Sequence, residues 1–340
     1  MSDIGSGDDI FPFCSLREIC IIDDTTEMVL MCNGKRFFVT VTEADLDGIG
    51  GRKLKDEYLD ILNGDDPETE VEPWISEALR YEMDRLAPFS GRKNPMFLQD
   101  YYKPQGVFIY KLVNKNGSLT PILLPDDARH SAHESPRAKI AELPEWETLQ
   151  LIDAAAVEIL PIAGDENFVA SDTPRRVTVE GKEYHLKEVQ DSHSFQREFG
   201  ILRKLALLGL NKTLRVPTFF GAVQYSDEKD FILGFLLEPI DSKGPMGWTK
   251  EFEDASQKLR QEWMTQIEEI IRQLHSNGIV WGDVKPDNVL IDRDNNAWVI
   301  DFGGGYNSRF VDRDVMETVK GDLQGLARLR DFLQLPVAVN

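Results

Sequence analysis

Short apolar runs separated by tight polar turns open the chain. Ile19–Ile22, Met28–Met31 and Phe37–Val41 have strand length, and Asn33-Gly34 stands between the second and third. Asn-Gly accepts the left-handed backbone of a two-residue hairpin, so these runs predict antiparallel strands. The period then changes. Leu54, Tyr58, Ile61 and Leu62 recur at helical spacing over 53–63, as do Ile75, Leu79 and Met83 over 73–87. Val107–Val113 and Thr120–Leu124 flank Asn116-Gly117 and predict another hairpin. The sum is a small α+β domain over residues 11–125, behind a loose acidic tail at 1–10. It holds no chemical motif. It reads as a docking or regulatory module, or as a structural extension.

Pro125 to Glu145 is polar and carries three prolines, so residues 126–150 are expected to be a linker. His130 and His133 lie three apart with no third ligand nearby, and read as solvated loop residues rather than a zinc site. From residue 151 the pattern becomes strand, loop, strand: Val157–Ile162, Arg175–Val179 and Glu183–Val189. A helix follows over Ser194–Leu208, with Phe195, Phe199, Leu202 and Leu205 as its stripe. Glu198 falls inside that stripe. A buried carboxylate is costly without a partner, and Lys187 on the preceding strand would supply one. The alternative has both side chains reaching water. Phe231–Leu237 is a continuous apolar strand. Ala255, Leu259, Trp263, Ile267, Ile271 and Leu274 mark a long helix over 251–277, closed by Asn277-Gly278.

Composition narrows the partners. Net charge is −21, from 59 acidic and 38 basic residues. That balance opposes nucleic acid and anionic membrane, which need a basic face. The chain's start lacks the pattern of a signal peptide and no apolar run has the length of a membrane span, so a cytoplasmic or nuclear location is expected. The three cysteines, Cys14, Cys20 and Cys32, fit no metal spacing and are expected to be reduced thiols.

The chemistry concentrates between Ile279 and Gly303. Val289–Ile291 and Ala297–Ile300 flank Asp294-Asn295-Asn296, a turn that closes a hairpin. At its ends stand Asp283, Lys285, Asn288 and Asp301. Asp283 could orient or deprotonate an attacking hydroxyl, and Lys285 could balance charge on a phosphoryl group in flight. Asn288 and Asp301 could hold a metal through hard oxygen ligands. The Asp-x-Lys-x-x-Asn spacing, followed by Asp301-Phe302-Gly303, resembles the catalytic loop and metal-binding segment of the protein-kinase-like superfamily. The resemblance covers roughly residues 150–335 and is nearest to a divergent group of fungal kinase-like proteins.

The resemblance implies a two-lobed α+β kinase-like fold over 151–340, with a β-rich N-lobe at 151–240 and a truncated helical C-lobe at 241–340. It implies ATP and magnesium (Mg2+) as cofactors. Lys187, held by Glu198, would then position the nucleotide, with Leu237 bordering its pocket and Glu238 and Ile240 offering main-chain contacts to the base. The acceptor would be a hydroxyl, on a protein serine or threonine or on a small molecule. Gly321-Asp322 resembles the start of the helix whose aspartate supports the catalytic loop from behind.

Four departures stand out. The loop expected over the phosphates has a single glycine, Gly164, and three acids, Asp165, Glu166 and Asp172. His185 replaces the small alanine usual under adenine. Trp281-Gly282 replaces His-Arg before Asp283, which implies that a phosphorylated activation loop is not the switch. Only 21 positions separate Asp301 from Asp322, without Ala-Pro-Glu. These features leave open a small-molecule kinase and a pseudokinase that serves as a binding module.

Overall fold

The computed structural model describes residues 14–88, 96–125, 136–160, 175–247 and 250–336. The described residues form two compact units. One takes residues up to 125 together with 154–160 and 175–182, and the other takes 136–153 and 183–336.

In the first unit β1 (Cys14–Ile22), β2 (Thr25–Cys32) and β3 (Lys35–Thr42) run antiparallel. Asn33 and Gly34 join the last two with φ of +48° and +76°, the paired left-handed conformation expected of Asn-Gly. The helices α1 (Arg52–Leu62), α2 (Pro67–Leu86) and α3 (Leu98–Tyr102) then lead to β4 (Gly106–Lys115), which runs parallel to β3. β5 (Ser118–Leu124) returns antiparallel through Asn116-Gly117 and completes the order β1-β2-β3-β4-β5. Met28, Leu30, Phe37, Val39, Tyr110 and Leu112 form one core with Tyr58, Ile75, Leu79 and Met83 from the helices.

α2 begins six residues before the expected 73. Its first turn is Pro67-Glu68-Thr69-Glu70, so apolar periodicity carries no signal there. Asp66 caps it by accepting the Thr69 N–H at 3.4 Å, and Pro67 stands where a helix needs no N–H. The cysteines also depart from expectation. Cys20 is a free thiol, but Cys32 is disulfide-bonded and its backbone faces Cys14 across the β1–β2 ladder.

Downstream, β6 (Ala138–Lys139) and β7 (Leu151–Asp153) belong to the second unit, whereas β8 (Glu158–Ile159) and β9 (Arg176–Val179) pair antiparallel in the first. The expected linker is therefore folded from residue 136 onward. Ala138, Ile140 and Leu143 are buried anchors within its polar run, and the Tyr225 hydroxyl donates to the Pro136 carbonyl at 2.8 Å. His130 and His133, and the acidic loop with Gly164, Asp165, Glu166 and Asp172, lie outside the described residues.

The upper lobe of the second unit contains β10 (Lys182–Glu188), α4 (Ser192–Leu207), β11 (Phe219–Gln224) and β12 (Phe231–Leu237). β12 is flanked by β10 and β11, and β7 adds parallel to β11. Asp191 caps α4 by accepting the N–H groups of His193 and Ser194 at 3.0 and 3.2 Å. Phe195 and Phe199 then pack on the aromatic rings of Phe235 and Phe219.

The lower lobe contains β13 (Ser242–Pro245), α5 (Lys250–Glu253), α6 (Gln257–Ser276), β14 (Val289–Asp292), β15 (Ala297–Val299) and α7 (Val319–Phe332). The single helix expected over 251–277 is two. Ser256 caps a new start by accepting the Leu259 N–H, and Arg260 donates to the Phe252 and Ala255 carbonyls that the break exposes. The β14–β15 turn is held by Asp292, whose Oδ1 accepts the N–H groups of Asp294 and Asn296 at 2.9 and 2.7 Å. The second unit by itself is the expected α+β, two-lobed kinase-like arrangement, with a large shared core that includes Trp263, Trp281 and Phe302.

Candidate active site

Lys187 lies on β10 opposite Phe235 of β12. Its Nζ is 2.5 Å from Glu198 Oε2 and 2.9 Å from Asp301 Oδ1. One ammonium thus joins the strand, α4 and the segment after β15. Burial opposes the Lys187 charge, but the two carboxylates outweigh it and raise its pKa. Glu198 is only 2% exposed, so burial pushes its pKa up against the pull of Lys187. Asp301 resists burial through Lys187, the Gly303 N–H and the more distant Lys285 charge, which together hold its carboxyl below the usual value.

Asp283, Lys285 and Asn288 form a second contact group. Asp283 is 5% exposed. Its Oδ2 accepts Lys285 Nζ at 2.6 Å and Asn288 Nδ2 at 2.8 Å, and its carbonyl accepts Asn288 Nδ2 at 3.0 Å. Oδ1 takes no hydrogen bond among the described residues. Val289–Val299 pairing, with Ile300 N–H donating to the Asn288 carbonyl at 3.0 Å, brings the start of β14 beside the end of β15. The hairpin therefore brings the backbone of Asn288 beside that of Ile300, one residue before Asp301. Asp301 itself has φ of +59°. A non-glycine residue held there needs surrounding support, and the Trp281 indole supplies it by donating to the Ile300 and Asp301 carbonyls at 2.9 and 3.2 Å.

The donor set fits a hard divalent cation. Asn288 directs its nitrogen to Asp283, which leaves its oxygen without a hydrogen bond among the described residues. Asp301 meets Lys187 and Gly303 through Oδ1, which leaves Oδ2 in the same condition. Two unengaged oxygens, one of them anionic, are the ligand type that magnesium takes.

On the upper wall His185 stands opposite Leu237 in the β10–β12 ladder, two positions from Lys187 and on the same face. His185 is exposed and Leu237 buried. The Glu238 N–H donates to the Thr218 carbonyl at 2.9 Å, so that group is committed. Of the main-chain contacts expected at Glu238, only its carbonyl can face a base. Pro239 has no N–H, which leaves Ile240 as donor.

Residues 172–324 match the protein kinase domain family. This region is a protein-kinase-like domain. The serine/threonine-protein kinase PKH1 of Saccharomyces cerevisiae is 29% identical over 126 residues, covering 36% of this chain and 16% of that protein. PKH2 of the same yeast is 33% identical over 102 residues, 30% and 9% of the two chains. The yeast MAP kinase kinase kinase SSK2 is 22% identical over 178 residues, 48% and 11%. The chain thus spans less than a fifth of the length of these curated relatives.

Within the kinase domain, Asp322 at the start of α7 is 1% exposed and accepts the N–H groups of Trp281 and Gly282, each at 2.8 Å, and His275 Nε2 at 2.7 Å. It clamps the loop from behind, as the resemblance implied. Sequence reasoning missed Arg197. Its guanidinium donates to the carbonyls of Val280 at 3.0 Å, Trp281 at 3.1 Å and Phe302. The available signal was a cation beside Glu198 on α4, in a chain with glycine where the family keeps an arginine.

Proposed function

We propose that this kinase domain transfers the terminal phosphoryl group of ATP to a hydroxyl, with protein serine or threonine side chains as acceptors. The observation that carries the reading is Asp283: buried, fixed through Oδ2 by Lys285 and Asn288, and open at Oδ1. That oxygen would accept the acceptor's hydroxyl proton as the new O–P bond forms and the bond to the departing ADP oxygen breaks. Lys285, already beside Asp283, would neutralise charge on the group in transit. Lys187, with Glu198 behind it, would hold the nucleotide's phosphates. Asn288 and Asp301 would hold magnesium, which when bound neutralises phosphate charge. Leu237 would border the base, with the Glu238 carbonyl and Ile240 N–H as its contacts. Serine or threonine as acceptor follows the relatives whose names specify it.

His185 favours a second reading. It is paired with Leu237 on the Lys187 face, where a bulky ring would narrow the space for a base, and a binding module without turnover would tolerate that. Thermal-shift titration with ATP and Mg2+ separates the two, because a ligand that binds the native state raises the midpoint. Nucleotide turnover on a generic protein substrate, lost in Asp283→Asn, supports the enzyme. A flat midpoint at millimolar nucleotide with no turnover sinks it. Transfer to metabolites but not to protein would move the acceptor to small molecules.

A further inference from the structure

We infer that Arg197 is a positioning residue that locks α4 onto the catalytic loop and onto the segment after Asp301. This rests on the phosphotransferase reading of the same site.

Arg197 and Glu198 are neighbours on α4 and face different partners. Glu198 reaches the roof lysine, while Arg197 reaches the floor. Its three carbonyl partners come from two segments: Val280 and Trp281 precede Asp283, and Phe302 follows Asp301. A planar guanidinium with five donors suits this task, and a lysine ammonium does not. Glu317, from the segment that leads into α7, adds a carboxylate 3.8 Å from Arg197 Nε. The arginine is 16% exposed, so these contacts are largely shielded.

Two glycines make room for it. Gly282 has φ of +86°, and a Cβ there would lie 2.4 Å from Arg197 Nη2. Gly304 has φ of +82°, and a Cβ there would lie 2.4 Å from Glu317 Oε1 and 3.3 Å from Arg197 Cδ. The space that a side chain at 282 would fill is occupied by the helix's own arginine. The anion that faces it is Glu317. Placement of α4, and with it Glu198 and Lys187, is thereby coupled to the backbone that carries Asp283 and Asp301.

The test compares Arg197→Gln, Arg197→Lys and the control Arg203→Gln in the full chain. Arg203 also anchors α4, but to Thr148 and Glu145, away from the loop. Hydrogen exchange reads the lock without any need for turnover. Amides of α4 and of residues 280–284 should both lose protection in Arg197→Gln, and Arg203→Gln should spare 280–284. In turnover, kcat should fall about a hundredfold in Arg197→Gln with a smaller change in the ATP KM, as expected for misplaced rather than missing groups. Arg197→Lys should recover only part of it. A second check uses Gly282→Ala: its loss of thermal midpoint should be smaller in an Arg197→Ala background, since the clashing group is gone. Unchanged exchange at 280–284 in Arg197→Gln, or equal disturbance by Arg203→Gln, overturns the lock. If wild-type protein never turns over ATP while the exchange pattern appears, the phosphotransferase reading has failed and the lock has not.

Discussion

The first unit buries Thr26, Arg36 and Ser76, whereas the second buries Glu198, Asp283, Asn288 and Asp322. In the first, the partners are neutral groups that close the fold or, for Ser76, a carboxylate one turn earlier: the Thr26 and Tyr58 hydroxyls meet at 2.8 Å, Ser76 donates to Glu72, and Arg36 donates to the Tyr101 and Tyr102 carbonyls. In the second, three carboxylates are withdrawn from water around one loop. Buried acids are costly and a fold that only needs stability can use apolar residues instead. The difference teaches where to look for chemistry in a chain whose two units share the same broad α+β class.

Four measurements can break or sharpen that contrast. The largest effect is expected at Asp283: Asp283→Asn should lower turnover by about a hundred- to ten-thousand-fold with little change in thermal midpoint, because the amide keeps the shape. Next is Asp322→Ala, which strands two loop N–H groups and His275. Denaturant unfolding should report a loss of about 3 kcal/mol, close to what breaking a buried charged network costs. Third is the acid limb. The Asp301 carboxyl is held below its ordinary value, so its contribution is present above that value and is lost as pH falls through the lowered one. Asp301→Asn should therefore flatten the fall in midpoint below about pH 4. Glu198 works in the opposite sense, since burial raises its pKa and its ionisation weakens the fold as pH rises. The smallest effect belongs to the first unit: Tyr58→Phe should cost about 1 kcal/mol and leave nucleotide binding unchanged.

Much of this was legible from residues alone. Asn33-Gly34, Asn116-Gly117 and the 289–300 hairpin carry their turn chemistry in local sequence, and Glu198 betrayed itself by sitting in an apolar stripe. The illegible parts depend on contacts between distant segments. The break at Ser256 needs Arg260 folding back, and residues 136–150 fold only because their few apolar side chains find the core. Arg197 left only the faint signal of a cation beside Glu198, because its hydrogen-bond partners are backbone carbonyls, which any residue has. The same holds for the Glu238 N–H, whose commitment to Thr218 follows from strand placement rather than residue type.

Gly305 gives the arrangement a further consequence. A Cβ built there would lie 3.1 Å from Asp283 Cγ and Oδ2 and 3.4 Å from Oδ1. At that range the Asp283 carboxyl must give by a few tenths of an ångström, and Gly305 is itself at φ of +157°. Gly305→Ala is thus expected to press on the loop acid directly, so a bare hydrogen at this position is part of what leaves Asp283 where Lys285 and Asn288 hold it.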